Sequence, residues 1–123
     1  MSGTEKIKGI YPALVTPYDA SGEVDLKMVQ KLTAHLTKCG ADGFFVGGSS
    51  GESYLLTPAE RKKILEAVIE AAAPGQKIMA HVGMLSTQET IALAKHARDA
   101  GADAVSAVPP FYFRFTINEL AAY

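Results

Sequence analysis

The sequence predicts an α/β fold, the N-terminal half of a (β/α)8 barrel, with four β/α units and the fourth helix cut short. Three observations predict it. Short apolar runs alternate with stretches whose apolar residues recur every three or four positions, which is the pattern of strands alternating with amphipathic helices. Strands joined in that way pair in parallel through right-handed crossovers. The turn Cys39-Gly40-Ala41-Asp42-Gly43 is echoed two units later by Ala100-Gly101-Ala102-Asp103-Ala104, as expected if alternate units are built alike. A full barrel takes about 250 residues, so a chain of 123 residues supplies about half of one. The same elements could form an open four-stranded sheet, but the apolar Ile10 to Val15 run would then be an uncovered edge.

The first strand is expected near 10–15, closed by Thr16-Pro17. Tyr18 to Glu23 is polar, with Asp19 and Ser21-Gly22 as turn residues. The first helix is expected near 26–39. Leu26, Val29, Leu32, Leu36 and Cys39 form its apolar stripe, Asp25 sits at the N-cap and Gly40 follows its end. The second strand, near 43–46, runs into Gly47-Gly48-Ser49-Ser50-Gly51-Glu52. Thr57-Pro58-Ala59-Glu60 then opens a helix near 58–73 with a capping box and a proline in the first turn. Its buried face is expected to hold Ile64, Leu65, Val68, Ile69 and Ala72. A strand near 77–82 follows. Ser86-Thr87-Gln88-Glu89 reads as a second box, opening a helix near 87–100 with Ile91, Leu93, Ala94 and Ala97 inward. The fourth strand, near 104–108, stops at Pro109-Pro110. Thr116-Ile117-Asn118-Glu119 caps a helix near 117–123. All of residues 1–123 belong to one partial barrel.

Composition excludes several classes. A net charge of −1 with both signs interspersed favours neither nucleic acid nor an anionic membrane. No apolar run is long enough to span a bilayer. Met1 to Lys8 is polar and lacks the apolar core of a signal peptide. The single cysteine, Cys39, excludes an intrachain disulfide framework and fits a reducing, cytoplasmic setting. At a helix end it is expected to pack as a small apolar residue. His35, His81 and His96 have no metal-ligand spacing. The glycine loop has neither a Walker ending nor a dinucleotide fingerprint.

Chemistry is expected at the carboxyl ends of the strands. Gly47 to Glu52 reads as an anion cradle, in which glycines bring backbone N–H groups close and Ser49 and Ser50 add hydroxyl donors. A plain turn is the alternative. Glu52 reads as a catalytic acid or as a loop anchor. His81 is a hydrogen-bonded core residue or a general base, the first being the commoner use. Phe111-Tyr112-Phe113 with Phe115 is an aromatic cluster that covers the barrel mouth or forms a subunit contact.

Four segments in order, Ala13-Leu14-Val15-Thr16-Pro17-Tyr18, Gly47-Gly48-Ser49-Ser50-Gly51-Glu52, Ala80-His81-Val82-Gly83 and Pro109-Pro110-Phe111-Tyr112, carry a resemblance. From about Ile7 onward the chain resembles the N-terminal part of the N-acetylneuraminate lyase / dihydrodipicolinate synthase family of pyruvate-dependent class I aldolases. Ala80 to Gly83 and Ala104 to Val108 are more similar to its lyase branch. The resemblance implies a lysine that forms a Schiff base with pyruvate, and reversible cleavage of sialic acid to N-acetylmannosamine and pyruvate. It implies that Gly48, Ser49 and Ser50 bind the pyruvate carboxylate, with Ser50 also a catalytic residue and standing where threonine is commoner in the family. Tyr112 is implied to reach a neighbouring subunit's site and relay protons, in a homotetramer built as a dimer of dimers, with no cofactor. The family's lysine and its tyrosine partner lie on later strands. None of the nine lysines here takes that place, so the chain alone is expected to be inactive. Other readings remain open: a dihydrodipicolinate synthase-like or other 2-keto acid aldolase, or a non-catalytic half-barrel that binds carboxylates or joins a partner half.

Overall fold

A computed structural model describes residues 7–123, so Met1 to Lys6 of the polar N-terminal stretch lie outside the described residues. The elements are α1 (Leu26–Lys38), β1 (Gly43–Val46), α2 (Pro58–Ala71), β2 (Lys77–His81), α3 (Thr87–Ala100), β3 (Ala104–Ser106) and α4 (Ile117–Ala122). Two short 3-10 turns, Ser49–Gly51 and Ser53–Leu55, lie between β1 and α2. The strands form a parallel sheet in the order β1-β2-β3, with Phe44 opposite Ile78 and Ala80 opposite Val105. This is an α/β fold of the kind the alternating pattern predicts.

Residues 10–15 differ from the regular strand expected there. They run parallel along the outer edge of β1, but form a single bridge, Ala13 opposite Phe45. The Leu14 N–H donates to the Phe45 carbonyl and the Phe45 N–H to the Pro12 carbonyl, each at 3.0 Å. The physical reason for the short pairing is local. Pro12 has no N–H to give, and the Ile10 N–H is taken at 2.7 Å by the Asp42 carboxylate.

Asp42 also explains the internal echo. At the equivalent turn, Asp103 accepts the Ile78 N–H at 2.9 Å and the Lys77 ammonium at 3.0 Å. Each aspartate thus ties the entry of one strand to the strand before it, at the end of the sheet away from the chemistry. Gln76 adds a third tie there, accepting from Ala73 N–H at 2.8 Å and donating to the Ala41 carbonyl at 2.7 Å.

Alternate residues of the strands meet the helices. Phe44, Val46, Ile78 and Ala80 pack in one core with Ile64, Leu65 and Val68 of α2 and Leu93 of α3. Phe44 and Val68 are wholly buried, each worth about 2 kcal/mol in transfer free energy. The helices start where their caps say. Asp25 accepts the Met28 N–H, and Thr57 and Thr116 form complete capping boxes with Glu60 and Glu119. Ser86 accepts from the Glu89 N–H at 3.4 Å, which forms only half of the expected box.

Some inward positions differ from expectation. Thr33 is fully buried on α1, its hydroxyl bonded to the Val29 carbonyl at 2.9 Å. Cys39 is exposed, because α1 ends at Lys38 and the chain turns away before the cysteine can pack. Ile91 is 42% exposed, since Leu93 and Ala97 take the face of α3 that meets α2 and the sheet.

Candidate functional site

The carboxyl ends of β1, β2 and β3 point to one side, and three loops meet there. The first is Gly47 to Glu52. Gly48 closes a tight turn: its carbonyl accepts the Gly51 N–H at 3.0 Å and the Ser53 N–H at 3.3 Å. A Cβ on Gly48 would lie 2.4 Å from the Phe45 ring, so only glycine fits without displacing that ring. The Gly51 carbonyl accepts the Thr16 hydroxyl at 2.7 Å, which moors the loop to the end of the 10–15 segment. Thr16 therefore does more than end a strand. Ser49 and Ser50 are exposed on this moored turn. Ser53 beneath them is completely buried, and its hydroxyl has no protein partner.

Glu52 is the single non-glycine residue with positive φ among the described residues, at 58°. Such a conformation costs on the order of 1 kcal/mol for a residue with a side chain. Its carboxylate is exposed and hydrogen-bonds the Tyr18 hydroxyl, which burial and this contact both raise in pKa. That geometry fits the anchoring use of Glu52.

The second loop follows His81. The imidazole is buried, and its Nε2 accepts the Val108 N–H at 3.1 Å. Desolvation pushes its pKa below the usual 6.5, the neighbouring Arg61 guanidinium pushes it further, and a hydrogen bond with the Gly47 backbone opposes them. The neutral ring is thus favoured in the fold, while the unfolded chain takes up a proton near the usual value. Stability from this group is complete above about pH 6.5 and is lost as pH falls from there toward the depressed folded value. Melting followed between pH 7.5 and 5.5 should show a decline of at most about 1.4 kcal/mol per pH unit. His81→Gln should remove that slope. The carboxyls of Glu60 and Glu119, held low by hydrogen bonds from Thr57 and Thr116, change charge below this window.

Arg61 is a residue that sequence reasoning missed. It is 5% exposed, on the inner side of α2. It donates to the His81 carbonyl at 2.6 Å, to the Gly83 carbonyl at 3.0 Å and to the Met84 sulfur at 2.7 Å. Among the described residues no carboxylate pairs with it, and its Nε has no partner. Burial lowers its pKa, against the opposing influence of Tyr54 and Tyr123. A signal existed: Arg61 lies three and four positions before Ile64 and Leu65, so the buried stripe of α2 extends back through it.

The third loop carries the aromatics. Phe111 meets Tyr54 edge to face at 4.8 Å, and Tyr54 meets His81 at 6.2 Å. Tyr112 is 77% exposed, and its ring contact is with Phe113 at 4.8 Å. Phe111, not Tyr112, therefore joins the other two loops within one chain. Tyr123 holds the next turn, donating to the Met84 carbonyl at 2.6 Å.

None of the described lysines stands at the carboxyl end of a strand, although Lys62 lines a cavity with Gly47 and His81. Lys27, Lys31 and Lys38 are on α1, Lys62 and Lys63 on α2 and Lys95 on α3, while Lys77 opens β2 at the opposite edge. No group of three or more His, Cys, Asp or Glu side chains among the described residues is placed to hold a metal ion.

This arrangement has close relatives. Residues 6–123 match the Dihydrodipicolinate synthetase family. An N-acetylneuraminate lyase of Clostridium perfringens is 40% identical over 118 residues, covering 95% of this chain and 41% of the relative. A Ruminococcus gnavus sialic acid aldolase, solved as a catalytic lysine mutant, superposes with a TM-score of 0.92 at 38% identity, over 99% of this chain and 40% of its own. Dihydrodipicolinate synthase from Aquifex aeolicus superposes at 0.87 with 35% identity, over 93% and 39%. The chain thus spans about two fifths of the length of these relatives, over their N-terminal part. By sequence and by fold it belongs to the dihydrodipicolinate synthetase family.

Proposed function

We propose that the chain contributes the carboxylate-binding part of a pyruvate-dependent Schiff-base aldolase that reversibly cleaves N-acetylneuraminate to N-acetylmannosamine and pyruvate. The observation that carries this reading is the moored Gly48 turn, which presents Ser49 and Ser50 side by side at the carboxyl end of β1. Two hydroxyls and the first N–H groups of a helical turn suit one carboxylate. In the proposed reaction the pyruvate carboxylate docks there. For cleavage, a lysine amine adds to the keto carbon of the sialic acid and water leaves. The neighbouring hydroxyl gives up its proton to become the aldehyde as the carbon–carbon bond breaks, the iminium takes the electron pair as an enamine, and protonation and hydrolysis release pyruvate. The lysine is to come from a later strand, because none of the described lysines stands at the carboxyl end of a strand.

The His81 strand and the lyase relatives favour sialic acid over the synthase substrate. The similarity to the Aquifex synthase makes a dihydrodipicolinate synthase-like or other 2-keto acid aldolase the second reading. A half-barrel that only binds carboxylates or assembles with a partner is the third. The exposed Phe111, Tyr112 and Phe113 suit contact between copies, in a tetramer assembled as a dimer of dimers. No described helix is long and apolar enough to cross a membrane; a cytoplasmic site is part of the proposal.

Incubation with pyruvate and borohydride, followed by intact mass, tests the chemistry. A chain longer than these 123 residues that carries a reduced pyruvate adduct supports the aldolase. The chain at its own mass without adduct points to the non-catalytic half-barrel. Ser50→Ala should raise the KM for pyruvate about tenfold, since a hydrogen bond to a charged group contributes about 1.5 kcal/mol or more. An unchanged KM would remove Ser50 from the cradle.

A further inference from the structure

We infer that His81 is a positioning residue, whose ring locks the Tyr112-bearing loop to the Ser49–Ser50 loop through Val108 on one side and Tyr54 on the other. The inference rests on the aldolase reading for its catalytic consequence and on geometry for the lock. A backbone N–H only donates, so the bond from Val108 fixes Nε2 as the bare nitrogen. The neutral ring then carries its proton on Nδ1. Arg61 Nη2 lies 3.2 Å from Nδ1, but a guanidinium only donates and a protonated Nδ1 cannot accept, so Arg61 bonds the His81 carbonyl rather than the ring. Tyr54, in the loop that carries Ser49 and Ser50, meets the same ring edge to face at 6.2 Å. One imidazole therefore accepts from the residue before Pro109-Pro110-Phe111-Tyr112 and packs against Tyr54, which follows Ser49 and Ser50 in the neighbouring loop.

Two features show that the position is built around this contact. A Cβ on Gly83 would lie 2.9 Å from both the Val108 nitrogen and oxygen, and 3.1 Å from His81 Nε2. The missing side chain is what lets Val108 approach the ring. β3 also stops at Ser106, although its apolar run continues to Val108. The ladder persists as far as the Val82 N–H to Ser106 carbonyl bond at 2.8 Å, and then the Val108 N–H turns to the imidazole. Phe45 and Tyr54 close over the ring edge to face, at 6.4 and 6.2 Å, and hold its plane.

The test compares His81→Phe, which keeps a ring without an acceptor, with His81→Gln, which keeps an acceptor near the Nε2 position. Both are made in the chain longer than these 123 residues that the aldolase reading requires, and amide exchange is read by mass spectrometry beside the kinetics of condensation of pyruvate with N-acetylmannosamine. The expected result for His81→Phe is exchange about tenfold faster in residues 107–113, with β1 and α2 unchanged. With it, kcat should fall about tenfold while the KM for pyruvate stays within about twofold. His81→Gln should restore both. Unchanged exchange in His81→Phe overturns the lock, and faster exchange with unchanged kcat overturns its catalytic role. If His81→Phe does not fold, His81→Gln decides: protection and turnover near the unsubstituted level support the inference, and their loss overturns it. An unsubstituted protein that forms no pyruvate adduct would sink the aldolase reading, while the exchange data still decide the lock.

Discussion

Arg61→Ala is expected to lower the free energy of unfolding by about 3 kcal/mol or more. Two buried carbonyls, those of His81 and Gly83, would lose their donor, and each orphaned acceptor costs about 1–3 kcal/mol. The emptied volume beside Leu65 adds a cavity cost. The arginine carries its own desolvation cost, because no described carboxylate neutralises it, and this reduces the net loss. Arg61→Met separates the two contributions: it fills the volume but donates nothing, so it should recover only the cavity part. Urea titration of both variants is the measurement. A loss below about 1 kcal/mol for Arg61→Ala would show that water replaces the guanidinium without penalty.

The elements legible in the sequence are those fixed by local chemistry. Asp25, Thr57, Ser86 and Thr116 mark helix starts because a side-chain oxygen three residues before an orphan N–H acts within one turn. β1 and β2 were legible as apolar runs between turn residues. The part that was not legible depends on contacts far apart in the chain. The Asp42 and Asp103 carboxylates bond N–H groups 32 and 25 residues away, so their repeat was visible but its purpose was not. Pairing of the 10–15 segment depends on which neighbour captures the Ile10 N–H, which no pattern within that segment reveals.

The site divides in the same way. The tight turn that exposes Ser49 and Ser50 was legible because glycines and small polar residues after a strand mark a turn by composition alone. Thr16 and Arg61 escaped, since each acts on a backbone carbonyl from another element, and neither residue type announces that use. Tyr112 is legible as part of an aromatic cluster, yet within one chain Phe111 takes the inward place.

Tyr112→Phe should therefore leave stability nearly unchanged and lower kcat about a hundredfold. The phenol is 77% exposed, and losing a solvated hydroxyl costs the fold little. A hydroxyl so open to water gains no advantage over solvent as a proton relay. Its proposed role requires that a second copy cover the ring and bring the oxygen into that copy's site, where general acid–base catalysis is worth about 10²–10⁴. The KM for pyruvate should change little, because the proposed carboxylate site is Ser49 and Ser50 rather than Tyr112. The same argument predicts complementation between copies. Assembling Tyr112→Phe chains with chains that have lost the Schiff-base lysine should regain activity, since a site with its own lysine can receive its tyrosine from a neighbour. Kinetics of the mixed assembly against the two separate variants is the measurement. No recovery on mixing, in an assembly shown to be mixed, would mean that Tyr112 serves its own chain or none.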